Sequence, residues 1–316
     1  MYENQIIGVV VPAYNEEKLI GRTIDTIPDF VDRVIVVDDG SYDATVERIQ
    51  ERVAQQPERV ILIQHEVNQG VGSTIITGHR RALEEGVDVV AVMAGDAQMD
   101  PRELPQVLDP VVEGQIDYAK GNRFASGEAW LRMPKARYFA NAGLSMFMKI
   151  ASGYWHVADP QCGYTAISRH ALEMLNLDQI AKGYQFENSM LIHLNVHNLR
   201  VVDVPVMPVY GIGEQSGINH LWALAAFSVY LVSVFFWRLK EKYIIRDFHP
   251  LVFFYSFGLL FFLVGLLLGL YLVAYRLLQG PVQATSALFA TSLFMSGLQF
   301  LMFAMWFDMD YNKNLR

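Results

Sequence analysis

The stretch "VDVVAVMAGDAQMD", Val87 to Asp100, carries the reading of the fold. Val87 to Met93 is a mostly apolar, valine-rich run, and it then breaks into Asp96, Gln98 and Asp100. Such a run belongs to a strand covered on both faces, and the polar residues fall at its carboxyl end. Pro101 suits the first turn of a helix reaching about Val112, because its missing N–H would have had no intrahelical acceptor.

The same alternation extends back to the start of the chain. Ile6 to Val11 is a continuous apolar run, and Asn15 is expected to cap a helix from Glu16 to about Ile27, stopped by Pro28. Val34 to Val37 forms a second strand ending in "DDGS", and Asp43 opens a helix to about Gln55. Val60 to Gln64 is a third strand, followed by a helix over Gly72 to Glu85. Strands alternating with helices of this length predict an α/β fold with a mostly parallel sheet covered on both sides. Ligands of such sheets collect at the carboxyl ends of the strands. Those ends read "PAYNEE", "DDGS", "NQG" and "AGDAQMD". No G-x-G-x-x-G follows the first strand and no P-loop is present, which disfavours a dinucleotide-binding domain.

The 316-residue chain changes character near Ile218. Pro250 to Tyr275 and Leu277 to Phe307 contain no Asp, Glu, Lys or Arg, and each exceeds the roughly 20 apolar residues that cross a bilayer. The expected organisation is a head over residues 1–217, interfacial helices over 218–249 and a two-helix anchor over 250–316. Arg238, Lys240, Lys242 and Arg246 precede the first span, and Lys313 and Arg316 follow the second. The excess of cations on that side puts head and tail in the cytoplasm of a multi-pass cell-membrane protein. A third span over residues 219–237 would carry the basic cluster outside, so that segment is expected at the interface. The N-terminus is too acidic and too soon strand-like for a secretory signal. Cys162 is the single cysteine, which excludes an internal disulfide and a multi-cysteine zinc site. A net charge of −8 without a basic stripe argues against a nucleic-acid binder.

The strand ends supply groups suited to a nucleotide sugar. Pro12, Tyr14 and Glu16 are candidates for one wall, with Tyr14 packing a ring and Glu16 accepting from ribose hydroxyls. Asp38 and Asp39 can accept from a base N–H, although a turn with a helix cap is the competing reading of "DDGS".

In order and spacing, "VVVPAYNEE", "VIVVDDGSYDAT", "NQGVGSTIITGHRRALEEG" and "GDAQMDP" resemble the family 2 glycosyltransferases of GT-A fold. More narrowly they resemble the membrane-anchored polyprenyl-phosphate (dolichyl-phosphate) mannose and glucose synthases. "KGNRF", "DPQCGYTAIS" and "GYQFENSMLI" continue the likeness to about Val206. The resemblance implies inverting transfer of a hexose from a nucleotide-sugar donor to a polyprenyl phosphate, with Mg²⁺ or Mn²⁺ on the donor diphosphate. The family's Asp-x-Asp-x-Gln motif falls on Ala94, Asp96 and Gln98, so its first carboxylate is missing. A hard cation takes many ligands from water and phosphate, so Asp96 with Gln98 is chemically sufficient, at some cost to affinity without nucleotide. Asp100 is expected to cap the following helix.

The resemblance also gives Arg123 a phosphate-facing role, and it puts Asp159 and Glu187 on the acceptor side, where either is equally a structural acceptor. Asp96, Arg123 and Asp159 are the catalytic candidates. Arg132, Lys135, Arg137 and Lys149 lie on an otherwise apolar helical pattern that suits an anionic headgroup or the acceptor phosphate. Tyr210 to Asn219 is glycine-rich and reads as a loop closing over the donor, but it has Ser216–Gly217 where the family often has Ser-Lys. Two alternatives stay open: a hydroxyl-acceptor transferase of the same family, and a catalytically impaired membrane scaffold. GDP-mannose, UDP-glucose and UDP-N-acetylglucosamine all remain candidate donors, and a homo-oligomer is neither required nor excluded.

Overall fold

The computed structural model describes residues 1–125, 135–207 and 220–316, with side chains over 135–142 and 220–228 left aside. Arg132 and the expected loop over Tyr210 to Asn219 lie outside the described residues, as do the side chains of Lys135 and Arg137.

The first unit spans Met1–Phe235 together with Leu315–Arg316. Its strands are β1 (Ile7–Ala13), β2 (Arg33–Asp38), β3 (Val60–Gln64), β4 (Val89–Val92), β5 (Tyr118–Asn122), β6 (Thr165–Ser168) and β7 (Val201–Pro205). They form one sheet in the order β3-β2-β1-β4-β6-β5-β7. Every pairing is parallel except those of β6, which runs antiparallel to both β4 and β5. The helices between them are α1 (Ile20–Thr26), α2 (Thr45–Gln55), α3 (Val71–Glu84), α4 (Leu104–Val112), α5 (Lys135–Ser152), α6 (Arg169–Met174) and α7 (Phe186–Val196).

The apolar runs are explained by their two faces. Val9, Val11, Val34 and Val36 point into a core shared with Ile20, Ile24, Ile49, Leu104 and Leu108 of α1, α2 and α4. Val10 points the other way, against α3, where Gly78 makes room: a Cβ there would lie 2.3 Å from Val10 Cγ1. Each fully buried Val, Ile or Leu contributes roughly 1.5–3 kcal/mol, so the sheet cannot slip by one residue without exposing a row of them.

The first helix begins later than expected. Asn15 does not cap it. Asn15 has φ +56°, and its Oδ1 accepts the N–H of Tyr42 at 3.1 Å. The N–H groups of Asn15, Glu16 and Glu17 donate to Ser41 Oγ, Thr45 Oγ1 and Asp43 Oδ2, at 2.9, 2.8 and 3.2 Å. The turn after β1 is therefore laced to the turn after β2, and α1 starts only at Ile20. β1 has β2 on one side and β4 on the other, the place where an open α/β sheet leaves a crevice at its carboxyl edge.

A long helix, α8 (His220–Lys240), runs out of this unit into a π-helical turn over Glu241–Arg246. The second unit spans Phe236–Asn314 and contains α9 (Leu251–Leu278) and α10 (Ala284–Tyr311). Both helices have 28 residues, are long and apolar enough to cross a membrane, and bury little of their surface in protein. They touch along a seam of small residues: Gly258 and Gly265 on α9, and Ala290, Gly297 and Ala304 on α10. The spacing of seven keeps one face of each helix on the other.

Beyond the seam lies a buried polar cluster. Arg238 donates to both oxygens of Asp308 at 3.1 and 3.0 Å, Tyr243 Oη donates to Asp308 at 2.5 Å, and Lys242 Nζ donates to Asn312 at 2.7 Å. Of the four cations that precede the first long apolar run, Arg238 and Lys242 are thus buried against the end of α10. Burial first, then the neighbouring Arg238, pushes Lys242 down to about 7.

Candidate active site

The tips of β1, β2 and β4 are stitched into one edge. Beyond the end of β4, Gly95 N donates to Pro12 O at 3.1 Å, and Thr23 Oγ1 donates to Gly95 O at 3.0 Å. Asp39 N donates to Ala13 O at 2.9 Å. The "GDAQMD" segment is thereby fixed beside "PAYNEE" rather than hanging from its own strand. Asp96 Oδ1 accepts the N–H of Gln98 at 3.0 Å and closes a tight turn in which Ala97 takes φ +56°. A non-glycine residue in that region stores strain, a feature that gathers at functional sites. Ala94 presents only a methyl group, with its N–H donating to Met99 Sδ at 3.3 Å. Asp100 caps the 3-10 turn at Pro101–Glu103 by accepting the N–H of Arg102.

Carboxylates converge on this edge. Glu16 is pushed up to about 7, first by burial and then by the charges of Asp96 and Asp43. Burial is the larger cause, and the charges of Asp96 in the turn after β4 and Asp43 in the turn after β2 add to it. Tyr14, 43% exposed, meets Tyr42 edge-on with ring centroids 6.3 Å apart. Together they form an aromatic wall beside Glu16.

The two aspartates after β2 differ sharply. Asp39 has both oxygens engaged: Oδ1 accepts from His65 Nδ1 at 2.8 Å and Gln69 N at 2.9 Å, and Oδ2 accepts from Gly70 N at 2.8 Å. Its work is to hold the "NQG" turn. Asp38 is also buried, but only Oδ2 is used, by Ser41 N at 3.2 Å, and Oδ1 has no hydrogen-bond donor among the described residues. Gly70, at φ +94°, and Gly72 lie under Ala181 and Lys182, where a Cβ would come within 2.8 and 2.6 Å of backbone oxygens.

A second group of charges lies on the β5, β6 and β7 side. Arg123, just past β5, donates from Nε and Nη2 to Asp159 at 2.6 and 2.9 Å, and its backbone N–H adds a third bond at 3.1 Å. Asp159 is 1% exposed, and the Arg123 side chain 19%. Lys120 is fully buried and its Nζ donates to Cys162 O. Glu187, at the start of α7, is raised by burial, while Lys120 and Arg123 pull it down. A Cβ on Gly163 would lie within 3.5 Å of both Met99 Cε and Glu187 Oε1, so this group borders the β4 loop.

Two residues missed from the sequence complete this side. Asp203 Oδ2 accepts from Asn122 Nδ2 at 2.9 Å and from Ala158 N at 2.6 Å. Burial pushes Asp203 up to about 6. The available signal was a lone carboxylate inside the apolar strand "VVDVPV".

The chain is similar to known proteins. The family model described as "Glycosyl transferase family 2" covers residues 8–175. A UDP-N-acetylglucosamine–dolichyl-phosphate N-acetylglucosaminyltransferase of Methanococcus voltae is 32% identical over 66% of this chain and 87% of its own length. An undecaprenyl-phosphate mannosyltransferase of Micrococcus luteus is 32% identical over 62% of this chain and 81% of its own. Among solved structures, glucosyl-3-phosphoglycerate synthase of Mycobacterium tuberculosis, crystallised with Mn²⁺, UDP and glucosyl-3-phosphoglycerate, is similar in fold. It superposes with a TM-score of 0.54 at 23% identity over 76% of this chain and 80% of that one. With the GT-A architecture and a family match over more than half its length, the chain belongs to glycosyl transferase family 2.

Proposed function

We propose that the protein transfers a hexose or N-acetylhexosamine from a nucleoside-diphosphate sugar to a polyprenyl phosphate, with inversion, at the cytoplasmic face of a membrane. The observation that carries the acceptor class is the identity to relatives named for dolichyl- and undecaprenyl-phosphate, over more than four-fifths of their lengths. The two apolar helices following the catalytic unit fit an acceptor that never leaves the bilayer. Confining enzyme and lipid to one surface raises their effective concentration. The cations flanking the helix pair favour a cytoplasmic head and tail, with α8 at the interface.

In this reading the Tyr14–Tyr42 wall packs against the nucleoside, Pro12 lines the same wall, and Glu16 accepts from ribose hydroxyls. Asp38 rather than Asp39 reads the base, because one Asp38 oxygen has no donor among the described residues whereas both oxygens of Asp39 are engaged. Asp96 and Gln98 offer one carboxylate and one amide oxygen, a hard donor set suited to Mg²⁺ or Mn²⁺ that takes its other ligands from diphosphate and water. The crowding of Glu16 by Asp96 fits a site whose negative charge a cation relieves. When bound, such an ion neutralises charge on the departing diphosphate.

The acceptor brings its own nucleophile. A phosphate monoester is largely ionised at pH 7, so its oxygen attacks the anomeric carbon without a general base. That suits Asp159, whose two oxygens are engaged by Arg123 and are poorly placed to take a proton from a hydroxyl. The pair holds the Arg123 guanidinium in one place, a fixed positive charge for the acceptor phosphate. Arg132, Lys135 and Arg137 are assigned to the anionic headgroup from the sequence pattern alone.

The test incubates the detergent-purified full chain with undecaprenyl or dolichyl phosphate, Mg²⁺ or Mn²⁺, and labelled GDP-mannose, UDP-glucose or UDP-N-acetylglucosamine in separate tubes. Label extracted into organic solvent from one tube, and lost in Asp96→Ala, is the expected result. Organic-phase label from no donor, with transfer to a hydroxyl acceptor instead, overturns the reading.

A further inference from the structure

A single carboxylate oxygen holds both halves of the Arg123–Asp159 pair. Oδ2 of Asp203 accepts from Asn122, the residue before Arg123, and from Ala158, the residue before Asp159. The two segments come from opposite ends of a 36-residue separation in sequence, and Asp203 stands 81 residues beyond Asn122. Asn122 passes the constraint on, since its Oδ1 accepts the N–H of Phe124 at 2.9 Å and so brackets Arg123 from both sides. On the other segment, the carbonyl of Ala158 is fixed by Ser145 Oγ at 2.7 Å. Strand register supplies the rigid base: β7 pairs with β5 so that Asp203 is opposite Lys120 and Pro205 opposite Asn122.

We propose that Asp203 is a positioning residue for transfer to the acceptor phosphate, setting where the Arg123 guanidinium sits by fixing the backbone on either side of the ion pair. The inference rests on the reading that Arg123 meets the acceptor phosphate. Asp203 touches neither substrate in this arrangement. It acts through Asn122 and Ala158. Both bonds run to one oxygen, so the shape of the group matters more than its charge, and an amide oxygen can take the same two donors. Removing the side chain frees two loops at once. Displacement of a reacting group by about 1 Å costs on the order of 100-fold in rate.

The experiment compares Asp203→Ala, Asp203→Asn, Asn122→Ala and Arg123→Ala in the detergent-solubilised full chain. The probes are undecaprenyl phosphate and the labelled nucleotide sugar that the extraction assay selects, with thermal melting as the check on folding. For Asp203→Ala the expected result is a fall of about 10- to 100-fold in kcat/KM for the phosphate acceptor with the donor KM unchanged. Asp203→Asn is expected to recover most of that loss. A folded Asp203→Ala protein with wild-type acceptor kinetics overturns the proposal, as does an equal loss toward donor and acceptor. If Asp203→Ala does not fold, Asn122→Ala decides: it removes one of the two bonds to Asp203 together with the Phe124 bond that passes the constraint on, so a loss confined to the acceptor supports the proposal and its absence refutes it. Arg123→Ala separates the two layers. Unimpaired Arg123→Ala means that the reading of Arg123 has failed, whereas an impaired Arg123→Ala beside an unaffected Asp203→Ala means that the positioning role has.

Discussion

Asp39 holds Gly70: its Oδ2 accepts the Gly70 N–H at 2.8 Å, while Oδ1 takes Gln69 N and His65 Nδ1. Adjacent Asp38 keeps one buried oxygen without a donor among the described residues. Neighbouring aspartates therefore answer differently to the same change. Asp39→Ala strands three donors and should cost about 3 kcal/mol of stability, since each orphaned buried group costs roughly 1–3 kcal/mol. Asp38→Ala strands only the Ser41 N–H, should cost about 1 kcal/mol, and should raise the donor KM about tenfold, the equivalent of one lost hydrogen bond to a charged group. Scanning fluorimetry and donor titration separate the two. Equal destabilisation by both would remove the distinction.

That distinction was not visible in the sequence, and the reason is physical. "DDGS" gives both aspartates the same local context, and only the long-range partners at positions 65, 69 and 70 tell them apart. The strands were legible because burial on both faces writes itself as continuous apolar runs; Val60–Gln64 was read with its observed boundaries. The first helix was misread because Asn15 is a good cap by type, whereas tertiary bonds from Ser41, Asp43 and Thr45 claim the N–H groups of that turn. Asn122 and Asp203 were invisible as a pair because nothing local links residues in different strands. The burial of Arg238 and Lys242 was illegible for a similar reason, as their partners Asp308 and Asn312 each lie 70 residues away in the sequence.

Glu16 gives the fold a pH dependence with a definite sign. Its carboxyl is raised from an ordinary 4.5 to about 7, chiefly by burial and then by Asp96 and Asp43. Below pH 4.5 the group is protonated in folded and unfolded chains alike and contributes nothing. Between those values the unfolded chain releases a proton that the folded chain keeps, so stability falls as pH rises through the window and levels off above it. Chemical denaturation from pH 4 to 8 should show this decline in the wild type and a flatter profile in Glu16→Gln. Mn²⁺ should reduce the decline by offsetting the field of Asp96. A Glu16→Gln profile superimposable on the wild type would contradict the assignment.

Ala94 offers a gain-of-function test of the cation reading. A second carboxylate two residues before Asp96 adds ligand charge to the tip of β4, and cation affinity at oxygen sites is tuned by the number of charged ligands. Ala94→Asp should therefore strengthen Mn²⁺ binding to the nucleotide-free protein by about tenfold and change it much less once the donor's diphosphate supplies ligands. Asp96→Ala should abolish nucleotide-free binding. Titration followed by electron paramagnetic resonance reads free Mn²⁺ directly. If Ala94→Asp binds no more tightly than the wild type, the cation does not sit at this turn.

The pair of apolar helices, α9 and α10, should prove intolerant at two glycines and indifferent at a third. A Cβ on Gly297 would lie 2.2 Å from Phe262 N, and one on Gly265 would lie 2.4 Å from Phe294 N, both backbone atoms that cannot swing away. A Cβ on Gly269 meets nothing within 4 Å. Close approach is what holds such helices together in lipid, where burial of apolar surface gives little advantage. Gly297→Leu and Gly265→Leu should push the helices apart and lower the detergent-phase melting temperature, whereas Gly269→Leu should not. Cysteines placed across the seam, at Ala290 and a facing position on α9, should lose crosslinking yield in the first two variants and keep it in the third. Retained crosslinking in Gly297→Leu would mean that the seam is not where α9 and α10 meet.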